Sequence, residues 1–325
     1  MLKKAIYILI LAGAISLAGC VQQLEDEGTQ QVTAAPGATA PATEATTTPQ
    51  NENGEDNMNQ TGIPPMPVDT AQDWRAPADL QNPNDLPVFE GPLAYRLQQP
   101  TRMLQLEPLA IGEELAILHT NKGDITMRFF PEEAPIAVTN FKALARQGYY
   151  DGVLFHRVIP GFMIQGGCPL GTGTGGNSVW GGNFGTERSF NLRHFYGAVA
   201  MAHAGPGTIG SQFYIVHNSQ LDGGSRAMFE DMKNSLDDVI GILPDGREIT
   251  LGDWHPAEGL EHFINHGGTP HLDWFWNQQG PHPVFAHVVA GMDVVDAIAN
   301  TPQAGSNRPV NDMIIERISF KTYEG

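Results

Sequence analysis

Cysteine is scarce in this 325-residue chain, with only Cys20 and Cys168. Two such residues cannot build a disulfide framework, so a small stapled scaffold is excluded. Positive charge is also scarce. Lys and Arg number 18 against 36 Asp and Glu, a net charge of −18. No basic patch is available to displace counterions from phosphates, which argues against a nucleic-acid partner. The acidic balance favours solubility and says little about fold. No phosphate loop is present. Gly171-Thr172-Gly173-Thr174-Gly175-Gly176 has the G-x-G-x-x-G spacing, but Asn177-Ser178-Val179-Trp180-Gly181-Gly182 after it is no helix. It reads as a glycine-rich surface loop. Internal repeats are absent, and the apolar run Ala5–Leu17 is too short for a stable membrane span.

The length would accommodate two domains, but the first third lacks globular character. Lys3-Lys4, the apolar run and Leu17-Ala18-Gly19-Cys20 come in that order. This order resembles the bacterial lipobox, which implies a signal peptide over 1–19 and a lipidated Cys20. Residues 20–63 are rich in Gln, Thr, Ala, Pro, Glu and Asn. They cannot bury enough apolar area to offset their ordering entropy. A random coil of this length reaches on the order of 40 Å. Residues 64–113 are proline-rich but carry Trp74, Phe89, Leu93, Tyr95, Met103 and Leu106, which suits either further linker or partial packing on the folded domain beyond it.

From Glu114 the pattern becomes that of a β protein. Leu115–Thr120 and Asp124–Phe130 read as strands joined at Gly123, which supplies a positive φ. A helix comes next, with Pro135 in its first turn, Gly148 past its end, and Ala137, Phe141, Leu144 and Ala145 on one buried face. Phe155–Gly167 reads as two strands around the Pro160-Gly161 turn. Arg157 gives this hairpin five fixed donors and a charge that does not titrate, so it can donate but cannot act as a base. Such a hairpin suits either a binding wall or a plain sheet edge with a solvated arginine. Ala198–Met201, Ser211–Val216, Val284–Val289 and Met313–Phe320 are further strands. Period two places Gln212 and Tyr214 on one face. Asp293–Ala299 is a short helix with Val294, Val295 and Ile298 inward. Many short strands, glycine turns and two helices point to a helix-capped β-barrel.

Long ordered motifs carry a resemblance to the cyclophilins, the barrel-shaped peptidyl-prolyl cis-trans isomerases. They are His119–Ile125, Phe130–Pro135, Asn140-Phe141, Tyr150–Gly167, Met201–Pro206, Gly210–Phe213 and Pro283–Phe285. The resemblance spans roughly 114–323. It implies a mostly β fold, an eight-stranded antiparallel barrel capped by two α-helices, here behind a disordered tether. It places a proline pocket on the outer face, with Arg157 catalytic and Phe162, Met163, Gln165, Ala202, His203, Gln212, Tyr214, Leu272 and His282 binding substrate. The family usually has Asn where His203 stands, a change expected to be tolerated. Tyr214 stands where Phe is common, and its hydroxyl either trims affinity or meets a water. Gly267-Gly268-Thr269-Pro270-His271-Leu272-Asp273 fits the family's bacterial form better than Gln220–Gly224. His271 then replaces a rim tryptophan and an insertion spans about 222–267. A second insertion, Trp274–Pro281, carries Trp274, Phe275 and Trp276, which suit core packing or a wider substrate surface.

The implied reaction needs no metal, nucleophile or cofactor. It needs a surface that binds a twisted X-Pro amide better than either planar isomer. Expected partners are proline-containing unfolded or exported polypeptides and, through Cys20, a membrane; the chain is expected to act as a monomer outside the cytoplasm. Two rivals involve metal and thiol chemistry. His262 and His266, at i and i+4, offer two zinc-type ligands, yet read better as solvated or pocket histidines. Cys168 has no resolving partner, so it reads as a loop residue rather than a redox centre. The second function class is a non-catalytic binding module; the retained Arg157, Phe162, Met163 and Gln212 argue against it.

Overall fold

The computed structural model describes residues 101–242, 246–273 and 280–325. The signal-peptide and tether stretches, residues 64–100 and the Trp274–Trp276 cluster lie outside the described residues. Alternating apolar side chains set the first pair. Leu118 of β1 (Glu114–Thr120) and Ile125 and Met127 of β2 (Gly123–Phe129) are fully buried, and the strands pair antiparallel. Gly123 has φ +130°, and a Cβ there would lie 2.9 Å from Val294, so the turn tolerates only glycine.

Helix α1 (Pro135–Arg146) carries Pro135 in its first turn and buries Ala137, Phe141, Leu144 and Ala145. Phe141 meets Tyr150, Phe213 and Phe285 with ring centroids 5.1–5.3 Å apart. The residue before the helix provides no side-chain cap. Instead Glu187, remote in sequence, accepts from Ile136 N–H and Ala137 N–H, both at 2.8 Å. These are orphan donors of the first turn, where a negative group is favoured.

Burial raises the Glu187 pKa to about 7, against the lowering effect of those two N–H bonds. The unfolded chain releases this proton near the ordinary value of 4.5. Between these values the native state holds more proton, so Glu187 makes stability fall as pH rises. The wild-type advantage in Tm over Glu187→Gln should therefore shrink by several degrees from about pH 5 to about pH 7.5. A difference flat in pH would reject the assignment.

The sequence continues with β3 (Val153–Leu154), β4 (Arg157–Ile159), β5 (Met163–Gly166), β6 (Ala198–Met201) and β7 (Phe213–Val216). Next come α2 (Gly223–Lys233), β8 (Val239–Ile242), β9 (Glu248–Thr250), α3 (Leu251–Trp254) and α4 (Ala257–His266). The chain ends with β10 (Val284–Ala290), α5 (Met292–Ala299), β11 (Gln303–Ala304), β12 (Arg308–Pro309) and β13 (Ile314–Thr322). The main sheet runs β3-β13-β1-β2-β10-β6-β7-β5-β4. β3 and β4 are halves of one strand broken at Phe155-His156. The first half pairs with β13, the second with β5, and Leu154 bridges to Cys168 beyond β5. Counted as one, they make the ring an eight-stranded antiparallel barrel, as the resemblance implied. The inward set includes Ile164, Val199, Met201, Phe213 and Ile215.

Between β7 and β10 the chain folds into α2, the β8–β9 hairpin, α3 and α4. Asp222 caps α2 by accepting from Gly224 N–H and Ser225 N–H, and Thr250 with Asp253 forms a capping box on α3. Phe229 of α2 meets Phe263 of α4, which packs on Phe195. His262 also lies against Phe195, with centroids 4.4 Å apart, and burial pushes its pKa down to about 4. His262 is thus a packing residue. Among the described residues no group of three or more His, Cys, Asp or Glu assembles into a metal site.

The residues just before β1 are not free chain. Met103 is buried, and Gln105 donates to the Arg193 carbonyl while accepting from its N–H.

Candidate active site

Period two turns one set of side chains into the barrel and the other outward. Met163 and Tyr214 belong to the outward set, in an apolar cluster with Ala198, Ala200 and Val216. Phe162, Ala202 and Leu272 pack on its margin. This outer face forms one wall of a cleft of about 770 Å³. All ten residues assigned from the sequence line it: Arg157, Phe162, Met163, Gln165 and Ala202, with His203, Gln212, Tyr214, Leu272 and His282.

Arg157 stands opposite Gln165 in the β4–β5 hairpin, whose turn uses Gly161 at φ +74°. A polar chain begins there. Arg157 Nη1 donates to Gln165 Oε1 at 3.3 Å, and Gln165 Nε2 donates to Gln212 Oε1 at 2.9 Å. Gln212 Nε2 in turn donates to the carbonyls of Gly173 and Gly175 at 2.9 and 2.8 Å. Partial burial lowers the Arg157 pKa from its ordinary value, with no acidic neighbour opposing this. A guanidinium so placed remains cationic at neutral pH and keeps donors for a ligand.

The opposite wall is aromatic and imidazole-rich. His203 and His282 stack with centroids 4.0 Å apart. His282 Nδ1 lies 3.1 Å from the Met201 carbonyl and His203 Nε2 lies 3.2 Å from the Pro281 carbonyl, so each donates there. Burial, with His203 and His194 nearby, pushes the His282 pKa down to about 3, so it lines the cleft as a neutral ring. His271 stacks on Phe162 at 5.9 Å, fixing the rim, and burial lowers its pKa too.

One expectation needs correction. The Tyr214 hydroxyl neither faces the cleft nor awaits a water; it bonds to His194 Nε2 at 2.9 Å. The floor that Tyr214 presents is its ring. Cys168, read as a loop residue, lies outside the named strands and is fully buried. Burial raises its pKa, but the N–H groups of Gly175, Thr172, Gly173 and Leu170 outweigh this and lower it overall.

The glycine run is not a bystander. Gly173, Thr174, Gly175 and Gly176 form a wall of the cleft, continued by Asn177, Asn183, Ala204, Thr208 and Gly210. Gly210 lies so close to this loop that a Cβ would meet the Gly176 carbonyl at 2.1 Å. A glycine-rich stretch shortly after the Arg157 hairpin, facing a Gln212 with two donors, is the signal that could have revealed it.

A family profile described as cyclophilin type peptidyl-prolyl cis-trans isomerase/CLD matches residues 115–240 and 252–320. A Staphylococcus aureus (strain COL) protein named "Putative peptidyl-prolyl cis-trans isomerase" is 42% identical over 210 residues, covering 65% of this chain and 93% of its own. A Staphylococcus haemolyticus (strain JCSC1435) protein of the same name is 42% identical over 204 residues, covering 63% of this chain and 89% of its own. A solved Cryptosporidium parvum cyclophilin type isomerase is similar at 26% identity and TM-score 0.47, covering 65% of this chain and 99% of its own. By the extent of the family-profile match and the 42% identity to the Staphylococcus aureus relative, the chain belongs to the cyclophilin-type peptidyl-prolyl cis-trans isomerases.

Proposed function

We propose that this isomerase seats an X-Pro segment in the Arg157 cleft and serves the folding of exported polypeptides from a lipid anchor at Cys20. The observation that carries the site assignment is a cation held at the edge of an apolar, aromatic floor. Arg157 is tied through Gln165 and Gln212 to the glycine loop, beside Phe162, Met163 and Tyr214.

The chemistry suits the amide. Its partial double bond sets a barrier of roughly 18–20 kcal/mol. As the bond twists, resonance is lost and the proline nitrogen becomes an acceptor. A guanidinium donating to that nitrogen, or to the proline carbonyl, stabilises the twisted state more than either planar isomer. Phe162, Met163, Tyr214 and Leu272 hold the ring, while Gln165, His203 and Gln212 flank the substrate backbone, the two glutamines bonded to each other. Each ~1.4 kcal/mol removed from the barrier gives a tenfold rate. NMR exchange spectroscopy of an X-Pro peptide, with and without the protein, tests this. Slow exchange unchanged by the protein would leave the cleft as a binding module only.

Location rests on Lys3-Lys4, the apolar run and Leu17-Ala18-Gly19-Cys20. The acidic, polar stretch after Cys20 suits a spacer holding the barrel off a membrane. Among the described residues no helix is long and apolar enough to cross a membrane. Detergent phase partitioning of the full chain expressed in a bacterium, against Cys20→Ser, is the test. The parent should enter the detergent phase and the variant the aqueous one; equal partitioning sinks the anchor.

A further inference from the structure

We infer that His194, which does not line the cleft, is a positioning residue that clamps two of its walls together. The inference rests on the cleft being the proline site. His194 is 1% exposed, and Tyr214 and Asp273 are each 4% exposed. All four polar groups of His194 are engaged. Its N–H and Nδ1 both lie 2.7 Å from Asp273 Oδ1, its Nε2 lies 2.9 Å from the Tyr214 hydroxyl, and its carbonyl accepts from Thr269 N–H at 2.7 Å. Thus one wall is the Tyr214 ring on β7. The other is the Thr269–Asp273 turn, which brings His271 onto Phe162 and Leu272 into the cleft.

The proton positions are set by the partners. An ionised carboxylate only accepts, so Nδ1 carries the proton and Nε2 accepts from the Tyr214 hydroxyl. Burial and the Asp273 charge raise the Tyr214 pKa well above its ordinary value, so that hydroxyl keeps its proton. Phenylalanine at this position would present the same ring without an anchor. With the anchor, the floor is tied to the turn that supplies the rim. Tyr214 also meets His282 edge-on with centroids 5.4 Å apart, so its orientation is passed to the His282–His203 stack. A ring fixed in this way spares the substrate the ordering of its own pocket.

The test has two arms on the full-length protein. The first is the 15N spectrum of histidine-labelled wild type, which needs neither peptide nor variant. A His194 proton on Nδ1 is expected, and a proton on Nε2 overturns the clamp. The second arm uses His194→Gln and Tyr214→Phe, singly and together, in an X-Pro peptide assay that separates Kd from exchange at saturation. Each single variant should raise Kd by about tenfold while exchange in the bound state changes little. The double variant should be no worse than the weaker single one, because the two groups act as a unit. Losses that multiply, or a folded His194→Gln with wild-type Kd, overturn the inference. Should His194→Gln fail to fold, Tyr214→Phe decides alone, and an unchanged Kd overturns it. Wild-type catalysis without peptide-induced shifts at Tyr214 or His282 would refute the cleft assignment instead, and the first arm still judges the clamp.

Discussion

Replacing Arg157 with alanine is expected to lower kcat/KM for an X-Pro peptide by about a hundredfold or more while leaving the fold intact. The loss is large because Arg157 offers the charged donors nearest the proline floor, and Gln165 and Gln212 are already committed to each other. The fold should survive because the side-chain hydrogen bond of Arg157 to Gln165, at 3.3 Å, is long, and the β4–β5 pairing runs through the backbone. The Gln212 bonds to the glycine loop remain in the variant, so the cleft keeps its shape. Arg157→Lys retains the charge but not the planar fork, and should fall between the two. A folded alanine variant within about threefold of wild type in an NMR exchange assay would show that binding alone drives the reaction.

The largest expected loss of stability is at Phe141. Its ring is fully buried, where α1 meets the barrel interior, among Phe129, Tyr150, Phe213 and Phe285. Phe141→Ala removes a ring that four neighbours cannot collapse to replace, and should cost about 3–5 kcal/mol. At about 2–4 °C per kcal/mol for a domain of this size, Tm should fall by roughly 10 °C or more. Function should fall with it, because Phe213 sits on β7 between Gln212 and Tyr214. Phe141→Leu keeps much of the volume and should cost less. Urea unfolding reads both, and a loss under about 1 kcal/mol for alanine would mean that the core repacks around the site.

The barrel was legible wherever short-range pattern decides structure. The apolar run Leu115–Leu118, the Pro135 helix start and the Pro160-Gly161 turn are local signals, and the strands and α1 obey them. The side-chain part of the cleft was legible because Arg157, Phe162, Met163 and Gln165 sit within nine residues of one hairpin. Three features were not. The Gly173–Gly176 wall carries no side-chain chemistry; its role arises from carbonyls that Gln212 selects after folding. The Tyr214 anchor joins residues 20 and 79 positions from His194, too far apart for any spacing rule. The burial of Cys168 arises because the glycine run after it folds back and points its N–H groups at the sulfur. The helical reading of 258–265 was sound, and of its histidines, read as solvated or pocket residues rather than ligands, His262 packs against the Phe195 ring.

The break between β3 and β4 has a consequence for how an extended chain meets the barrel. By turning one strand toward both β13 and β5, it leaves as the end strands of the barrel sheet only β3 and β4, two and three residues long. End strands this short offer an unfolded polypeptide, rich in unpaired backbone, little edge on which to add a further strand. Contact is then confined to the few residues around a proline that reach the cleft. A barrel built this way is expected to engage an extended chain through its cleft rather than along its sheet.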